Sequence, residues 1–259
     1  MSVGFDRSDA LVTGAGSAQG IGVAIADRLA SAGLRVAITS TTERVHERAA
    51  ELRQRGGEVR SFVADLTDLR AAQRLAAEVG PVSILVNNAG MGSVGEPAIS
   101  KRFVEYEERD WDRMIALSLK TAFCATRAFL PPMIAARSGR IVNVASVTGP
   151  YVAIAGSSAY AAAKAGMTGL TRALALEVGP LGITVNAVAP GWIATASSSA
   201  AELAAGAATP VGRPGTPEEV AQAVAFLASP GASYVNGETL IIDGGNILQE
   251  YKGRPADRD

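Results

Sequence analysis

The 259-residue sequence predicts a single-domain α/β protein built on a doubly wound parallel sheet of about seven strands. Three observations carry this expectation. Short apolar runs alternate with longer helical segments along the whole chain, the pattern of repeated βαβ units. No shift in composition marks a linker, and 48% hydrophobic residues over this length supply one sizeable core without help from disulfides or metal. Four glycines, Gly14, Gly16, Gly20 and Gly22, fall between the first apolar run and the first helical segment, where the chain must turn tightly.

Residues 10–13 form the first strand, and the glycine-rich turn leads into a helix from about 20 to 32, ended by Gly33. A second strand at 35–39 precedes a helix at 43–55, stopped by Gly56 and Gly57. Then follow a strand at 58–63, a helix at 67–79 and a strand at 82–86. In the second half a long helix at 109–136 is expected to kink or break at Pro131-Pro132 near its end, because proline removes a donor and crowds the preceding turn. A strand at 140–145, an alanine-rich helix at 157–178, a strand at 183–188, a helix at 216–228 and a strand at 239–242 complete the alternation. The segment 194–215, rich in Ala, Ser, Gly and Pro, is expected to be a flexible substrate-side loop. The charged stretch 250–259 is expected to be a loose tail.

Charge and cysteine content exclude several classes. Lys and Arg number 24 against 25 Asp and Glu, so there is no bulk electrostatic case for nucleic acid or acidic membranes. A single cysteine, Cys124, and a single histidine, His46, cannot make an intramolecular disulfide or a Cys/His metal cluster, so no metal is expected. The polar N-terminal stretch lacks a secretory pattern, and no apolar run reaches the ~18 residues of a membrane span. A cytoplasmic setting is expected.

The chemistry begins with the glycines. They would let the backbone approach a pyrophosphate at a helix N-terminus, although a plain strand-to-helix turn explains them as well. Tyr160 and Lys164, four apart on a predicted helix, share one face, and a nearby cation would favour phenolate and lower the tyrosine pKa from about 10. Ser146, at the end of a predicted strand fourteen residues before Tyr160, brings a hydroxyl to the same region. His46 lies in a charged helix and reads as exposed. Cys124 reads as core, Asn186 as structural, and Trp192 as either loop packing or a wall of the substrate site. With no Gly-x-Ser-x-Gly elbow, a serine hydrolase is excluded.

Thr13-Gly14 with Gly20-Ile21-Gly22, Asp65-Leu66, Asn87-Asn88-Ala89-Gly90, Ser146, Tyr160-x3-Lys164, Pro190-Gly191 and Asp243-Gly244-Gly245 occur in one order. With these motifs the chain resembles, over about residues 9–246, the short-chain dehydrogenase/reductase family, which has a Rossmann-like fold. Residues 38–43 and the overall length look most like its 3-oxoacyl-carrier-protein reductase branch. The resemblance implies that Tyr160 is the acid in reduction and the base in oxidation. Ser146 would hold the substrate oxygen, and Lys164 would bind the nicotinamide ribose and acidify Tyr160. The dinucleotide would lie against Gly14, Ser17, Gln19, Gly20, Ile21 and Gly22, with Ser40 and Thr41 at the ribose. Asp65 and Leu66 would meet the adenine, the Asn88, Ala89 and Gly90 backbone the adenosine side, and Pro190, Gly191, Ile193 and Thr195 the nicotinamide amide.

NADP is expected over NAD, with NAD also admissible, because the end of the second strand reads Ser40-Thr41-Thr42 with Arg44 nearby instead of an acidic residue. Two departures stand out. Five residues separate Gly14 from Gly20 where the family has three, so either the turn is longer or Gly16 takes the first glycine's place. Ser118 stands where the family usually carries an asparagine that holds a proton-relay water through a bent helix. The expected function is an NADP(H)-dependent oxidoreductase interconverting a ketone, 3-oxoacyl-type or another small carbonyl, and a secondary alcohol. The alternative is a catalytically weak dinucleotide-binding or scaffolding protein. Small and apolar residues around the helices at 109–136 and 157–178 point to a homo-oligomer, with a tetramer expected from the resemblance.

Overall fold

The computed structural model describes residues 9–90 and 99–250. One sheet of seven parallel strands runs through it in the order β3-β2-β1-β4-β5-β6-β7. The strands are β1 (Asp9–Thr13), β2 (Arg35–Ser40), β3 (Glu58–Val63), β4 (Ile84–Asn87), β5 (Gly139–Val144), β6 (Ile183–Pro190) and β7 (Thr239–Ile242). Between them lie α1 (Ile21–Ser31), α2 (Arg44–Gln54), α3 (Leu69–Val79), α4 (Glu108–Ile115), α5 (Thr121–Ala136), α6 (Ser158–Val178), α7 (Ala200–Ala207) and α8 (Pro217–Ala228).

The strands are apolar on both sides because both faces of the sheet are covered, as parallel crossovers require. Val12, Val86, Val142 and Val188 pack with Ile25, Leu29, Val45, Leu52, Val220 and Val224 from α1, α2 and α8. Leu11, Leu85, Ile141 and Val185, one residue out of phase, pack with Leu75, Phe129, Met133 and Val178 from α3, α5 and α6. Each such side chain removed from water contributes about 1.5–3 kcal/mol before the entropy of ordering it is counted. The order reverses between β1 and β4, so the loops after these strands diverge and leave a crevice at the carboxyl edge, where ligands of open α/β sheets bind.

Two expectations from the sequence need correction. The helix expected at 109–136 is not broken at its prolines: Pro131 and Pro132 lie inside α5, flanked by the buried Phe129 and Met133 that anchor the helix on the sheet. The interruption falls earlier, where residues Ala116–Lys120 form a π-helical turn between α4 and α5. There the Thr121 hydroxyl donates to the carbonyls of Leu117 at 2.9 Å and Ala89 at 3.3 Å, tying the widened turn to the end of β4. The segment 194–215 is likewise not all loop. It contains α7, whose N-terminus is closed by a reciprocal cap in which Ser199 Oγ accepts from the Glu202 N–H and Glu202 accepts from the Ser199 N–H. Alanine supplies strong helix propensity there, which the flanking Ser and Gly residues obscured. The tail at 251–259 lies outside the described residues.

Candidate active site

The cofactor side of the crevice is built by the turn from β1 to α1. Gly14 has φ +71°, and a Cβ on it would stand 2.8 Å from the Ala89 Cα. On Gly22 a Cβ would meet the Asn88 amide nitrogen at 2.5 Å and the Gly14 carbonyl at 2.7 Å. Both glycines are therefore demanded by the approach of the turn to the end of β4. Gly16 packs instead on Ser40, whose Oγ a Cβ would meet at 2.8 Å. This settles the spacing: Gly14 holds the tight position and the turn is the longer form, with Ser17, Ala18 and Gln19 looped out and closed by Gly20 N–H donating to the Ser17 carbonyl at 3.3 Å. Gly20 caps α1 without a side chain, so the first N–H groups of the helix, at Ile21 and Gly22, keep free donors. No acidic residue lies in that first turn.

Thr13 does something the sequence did not reveal. Its hydroxyl accepts the N–H of Asn88 at 3.0 Å and of Ala89 at 2.9 Å, while Asn88 returns its side-chain amide to the carbonyls of Thr13 and Gly14. The Asn88-Ala89-Gly90 backbone is thereby locked against the glycine turn. Beyond it, Asp65 accepts the N–H and hydroxyl of Thr67, and Leu66 is buried beneath. At the end of β2 the Ser40 hydroxyl donates to the Thr42 carbonyl, Arg44 donates to the Thr42 hydroxyl at 3.3 Å, and Thr41 is exposed. The nearest carboxylate, Glu43, pairs with His46 at 3.1 Å.

Across the crevice, Ser146 lies two residues past the end of β5 and its hydroxyl accepts the Thr148 N–H at 3.0 Å. Tyr160 sits in the first turn of α6, with its phenol set beside the Ser146 hydroxyl. One turn on, the ammonium of Lys164 is buried, donates to the Val144 carbonyl at 2.7 Å, and lies 5.8 Å from the centre of the Tyr160 ring. Burial holds the lysine down at about 8. The tyrosine differs from expectation: burial pushes its phenol above the ordinary value, and the hydrogen bond from Ser146 only partly offsets this. The buried Lys164 ammonium, 5.8 Å from the ring centre, does not reverse this shift.

Ser118 lies in the π-helical turn, fully buried, with no hydrogen-bond partner for its hydroxyl among the described residues. Gly90 joins the two groups: a Cβ there would be 3.3 Å from Lys164 Nζ and 3.6 Å from the Ser118 Cα. Beneath the site, Asn87 donates to Asn143 at 2.8 Å and to Thr126 at 2.9 Å, and Asn143 donates to Thr171, pinning α5 and α6 to neighbouring strands. The signal for this network was two consecutive asparagines at the end of an apolar run. Pro190 ends β6, and Gly191 fits against Asp243, whose Cβ a side chain would meet at 2.7 Å. Ile193 pairs with Gly215, and the Thr195 N–H donates to the Ser198 hydroxyl. Asn186 is structural, bonded to Val235 and Glu238, and Cys124 is core.

The glycine cradle, the free donors of α1 and a buried ammonium with one hydrogen bond among the described residues together suit a phosphate-linked dinucleotide with a ribose at Lys164. No group of side chains suited to a metal ion occurs among the described residues.

An open parallel sheet that places a dinucleotide cradle opposite a Ser-Tyr-Lys group is the arrangement of an NAD(P)-dependent oxidoreductase. The chain belongs to the short-chain dehydrogenase/reductase family, and its residues 14–246 match the family model described as enoyl-(acyl carrier protein) reductase. It is 41% identical over 245 residues to the 3-oxoacyl-(acyl-carrier-protein) reductase FabG of Vibrio cholerae, covering 92% of this chain and 97% of that one. To oxidoreductase UcpA of Salmonella typhimurium it is 38% identical, covering 93% and 95%. Among solved structures it is similar to a candidate NAD(P)-dependent gluconate 5-dehydrogenase of Beutenbergia cavernae with NADP bound at low occupancy (TM-score 0.87, 39% identity, 96% and 100% covered). An actinorhodin polyketide ketoreductase variant with NADPH is also similar (TM-score 0.85, 35% identity, 94% and 98% covered).

Proposed function

We propose that the protein reduces a ketone to a secondary alcohol with NADPH, and runs the reverse oxidation, with Tyr160 as the proton donor and acceptor. The observation that carries this is the Tyr160 phenol, set beside the Ser146 hydroxyl and backed by the buried Lys164 ammonium. The dinucleotide supplies the hydride. Ser146 and Tyr160 hold the carbonyl oxygen between two hydroxyls, where negative charge develops as the carbon is reduced, and Tyr160 delivers the proton. A phenol raised by burial stays protonated at neutral pH, which suits the reducing direction.

Lys164 would bind the nicotinamide ribose. Ile21, Gly22 and the turn from Gly14 through Ser17, Gln19 and Gly20 would take the pyrophosphate. Asp65, Leu66 and the Asn88, Ala89 and Gly90 backbone would line the adenosine, and Pro190, Gly191, Ile193 and Thr195 the amide. Ser40, Thr41 and Arg44 favour a 2'-phosphate over a bare ribose, and NADP occurs with one relative of known structure. We expect kcat/KM with NADPH about tenfold or more above that with NADH. Equal values would refute the assignment of these residues. A panel of ketones and secondary alcohols with both cofactors tests the function, and cofactor binding without turnover of any of them would favour a binding or scaffolding protein.

Ser118 is proposed to hold a relay water through its buried hydroxyl, unpartnered among the described residues. Ser118→Ala should then slow kcat by ~10-fold, within the range of general acid-base contributions, while Ser118→Asn is tolerated. An unchanged kcat in the alanine variant, with chemistry rate-limiting, would reduce Ser118 to helix packing.

A homotetramer in the cytoplasm completes the proposal. Phe123 and Ile134 on α5 and Leu176 on α6 are exposed apolar side chains on the helices expected to pair. No helix among the described residues is long and apolar enough to cross a membrane. Light scattering at micromolar concentration should give four chains, and a monomer would contradict it.

A further inference from the structure

Three segments rise from the carboxyl edge around Ser146 and Tyr160, and none presents a cation without a partner. Residues 147–157, which join Ser146 to the Tyr160 helix, contain no charged side chain. Residues 191–212 contain one, Glu202, and it is used in capping α7. Residues 99–109 contain three cations, and each is paired: Lys101 with Asp110, Arg102 with Glu105, and Arg109 with Glu107. Apolar side chains are exposed beside these pairs. Phe103 is 71% and Val104 is 85% exposed, and Tyr151 and Ile154 are exposed on the segment beside them.

One side chain fixes two of these segments together. The Tyr106 hydroxyl lies 3.0 Å from the Gly156 carbonyl and 3.2 Å from the Ile99 carbonyl, sharing its single proton between them. The Lys101 N–H donates to the same Gly156 carbonyl at 3.0 Å. Gly156 has φ +86°, and a Cβ on it would meet Ser100 Oγ at 2.8 Å, so the two backbones touch. Gly156 stands four residues before Tyr160 and immediately before the residue that caps α6. The position of the 99–106 segment is thereby referred to the start of the helix that carries the proton donor.

We propose that Tyr106 is a positioning residue for substrate selection, holding Phe103 and Val104 beside Tyr151 and Ile154 as one apolar wall at the mouth of the site. This wall takes the apolar remainder of a ketone whose far end is an alkyl chain or ring. A carboxylate or phosphate there would lose hydration without meeting an unpaired cation on these segments, and a polyhydroxylated chain would lose hydrogen bonds to water against an apolar surface. The proposal rests on the ketone reductase reading and narrows it.

The test compares an alkyl methyl ketone with a keto acid of the same chain length whose far end is a carboxylate, both with NADPH, and with acetone as the shortest ketone. We expect kcat/KM for the alkyl ketone to exceed that for the keto acid by about tenfold or more. Phe103→Ser and Ile154→Ser, at exposed positions that leave the core untouched, should each reduce that preference through KM. Tyr106→Phe should do the same, lowering kcat/KM for the alkyl ketone relative to acetone. The proposal is overturned by a keto acid used as well as the alkyl ketone. A Tyr106→Phe effect that lowers kcat by one common factor on every ketone also overturns it, since that marks a merely structural role. If alkyl and keto-acid substrates are distinguished wrongly while acetone is reduced, the substrate class fails and the reductase reading stands. If no ketone is reduced although NADPH binds, the reductase reading fails and carries this proposal with it.

Discussion

Tyr160→Phe is expected to lower kcat by about 10² to 10⁴ while leaving NADPH affinity within about threefold of the parent. The substitution removes one oxygen and keeps the ring, so the packing of α6 and the 5.8 Å relation to Lys164 are preserved. What is lost is the proton that neutralises the forming alkoxide, together with one of the two hydroxyls around the carbonyl oxygen. Ser146 remains and supplies only stabilisation. The loss therefore appears in kcat and in kcat/KM together, as for an interaction made chiefly in the transition state. A kcat comparable to the parent enzyme's would remove Tyr160 from the mechanism.

Lys164→Met should separate activity from stability. Turnover is expected to fall by at least about 100-fold, with weaker NADPH binding, because the side chain proposed to hold the ribose and support proton resupply is gone. Stability should move the other way. In the unfolded chain this lysine keeps its proton up to 10.5, whereas in the folded protein burial releases it at about 8. Between those values the unfolded chain binds more protons, so folding stability rises with pH across that window and the full penalty, about 3 kcal/mol, applies below 8. Methionine is unbranched, apolar and of similar length, and carries no such penalty. It leaves the Val144 carbonyl without its donor, at a cost of about 1 kcal/mol. The variant should thus be more stable at pH 7 by about 2 kcal/mol, or ~4–8 °C in Tm, and lose the rise in stability between pH 8 and 10.5. A less stable variant, or one with the same pH slope, would contradict the description of Lys164 as a strained buried ammonium.

The βαβ alternation was legible because both-sided burial makes each strand a short continuous apolar run, bounded by turns and by amphipathic helices such as α3. The positions of Ser146, Tyr160 and Lys164 were legible because strand ends and helix spacing fix them locally. The π-helical turn around Ser118 was not read from periodicity, since one wide turn shifts the helical register by less than a residue and the flanking apolar positions still fit a single helix. Nor was the clamp of Thr13 on Asn88 and Ala89, which joins residues about 75 apart in sequence. The tyrosine's raised pKa was missed for a related reason: an i, i+4 spacing gives the nearness of Lys164 but says nothing of the burial that disfavours the phenolate.

The most direct measurement is isotopic. The protein is incubated with a ketone and NADPH carrying deuterium on the reactive face of the nicotinamide, and the alcohol is analysed by mass spectrometry and NMR. The account predicts one deuterium on the carbinol carbon, in a single stereochemical sense, at a rate that collapses in Tyr160→Phe. Bound NADPH with no deuterium transferred to any ketone, or a transfer rate unchanged in Tyr160→Phe, would contradict it.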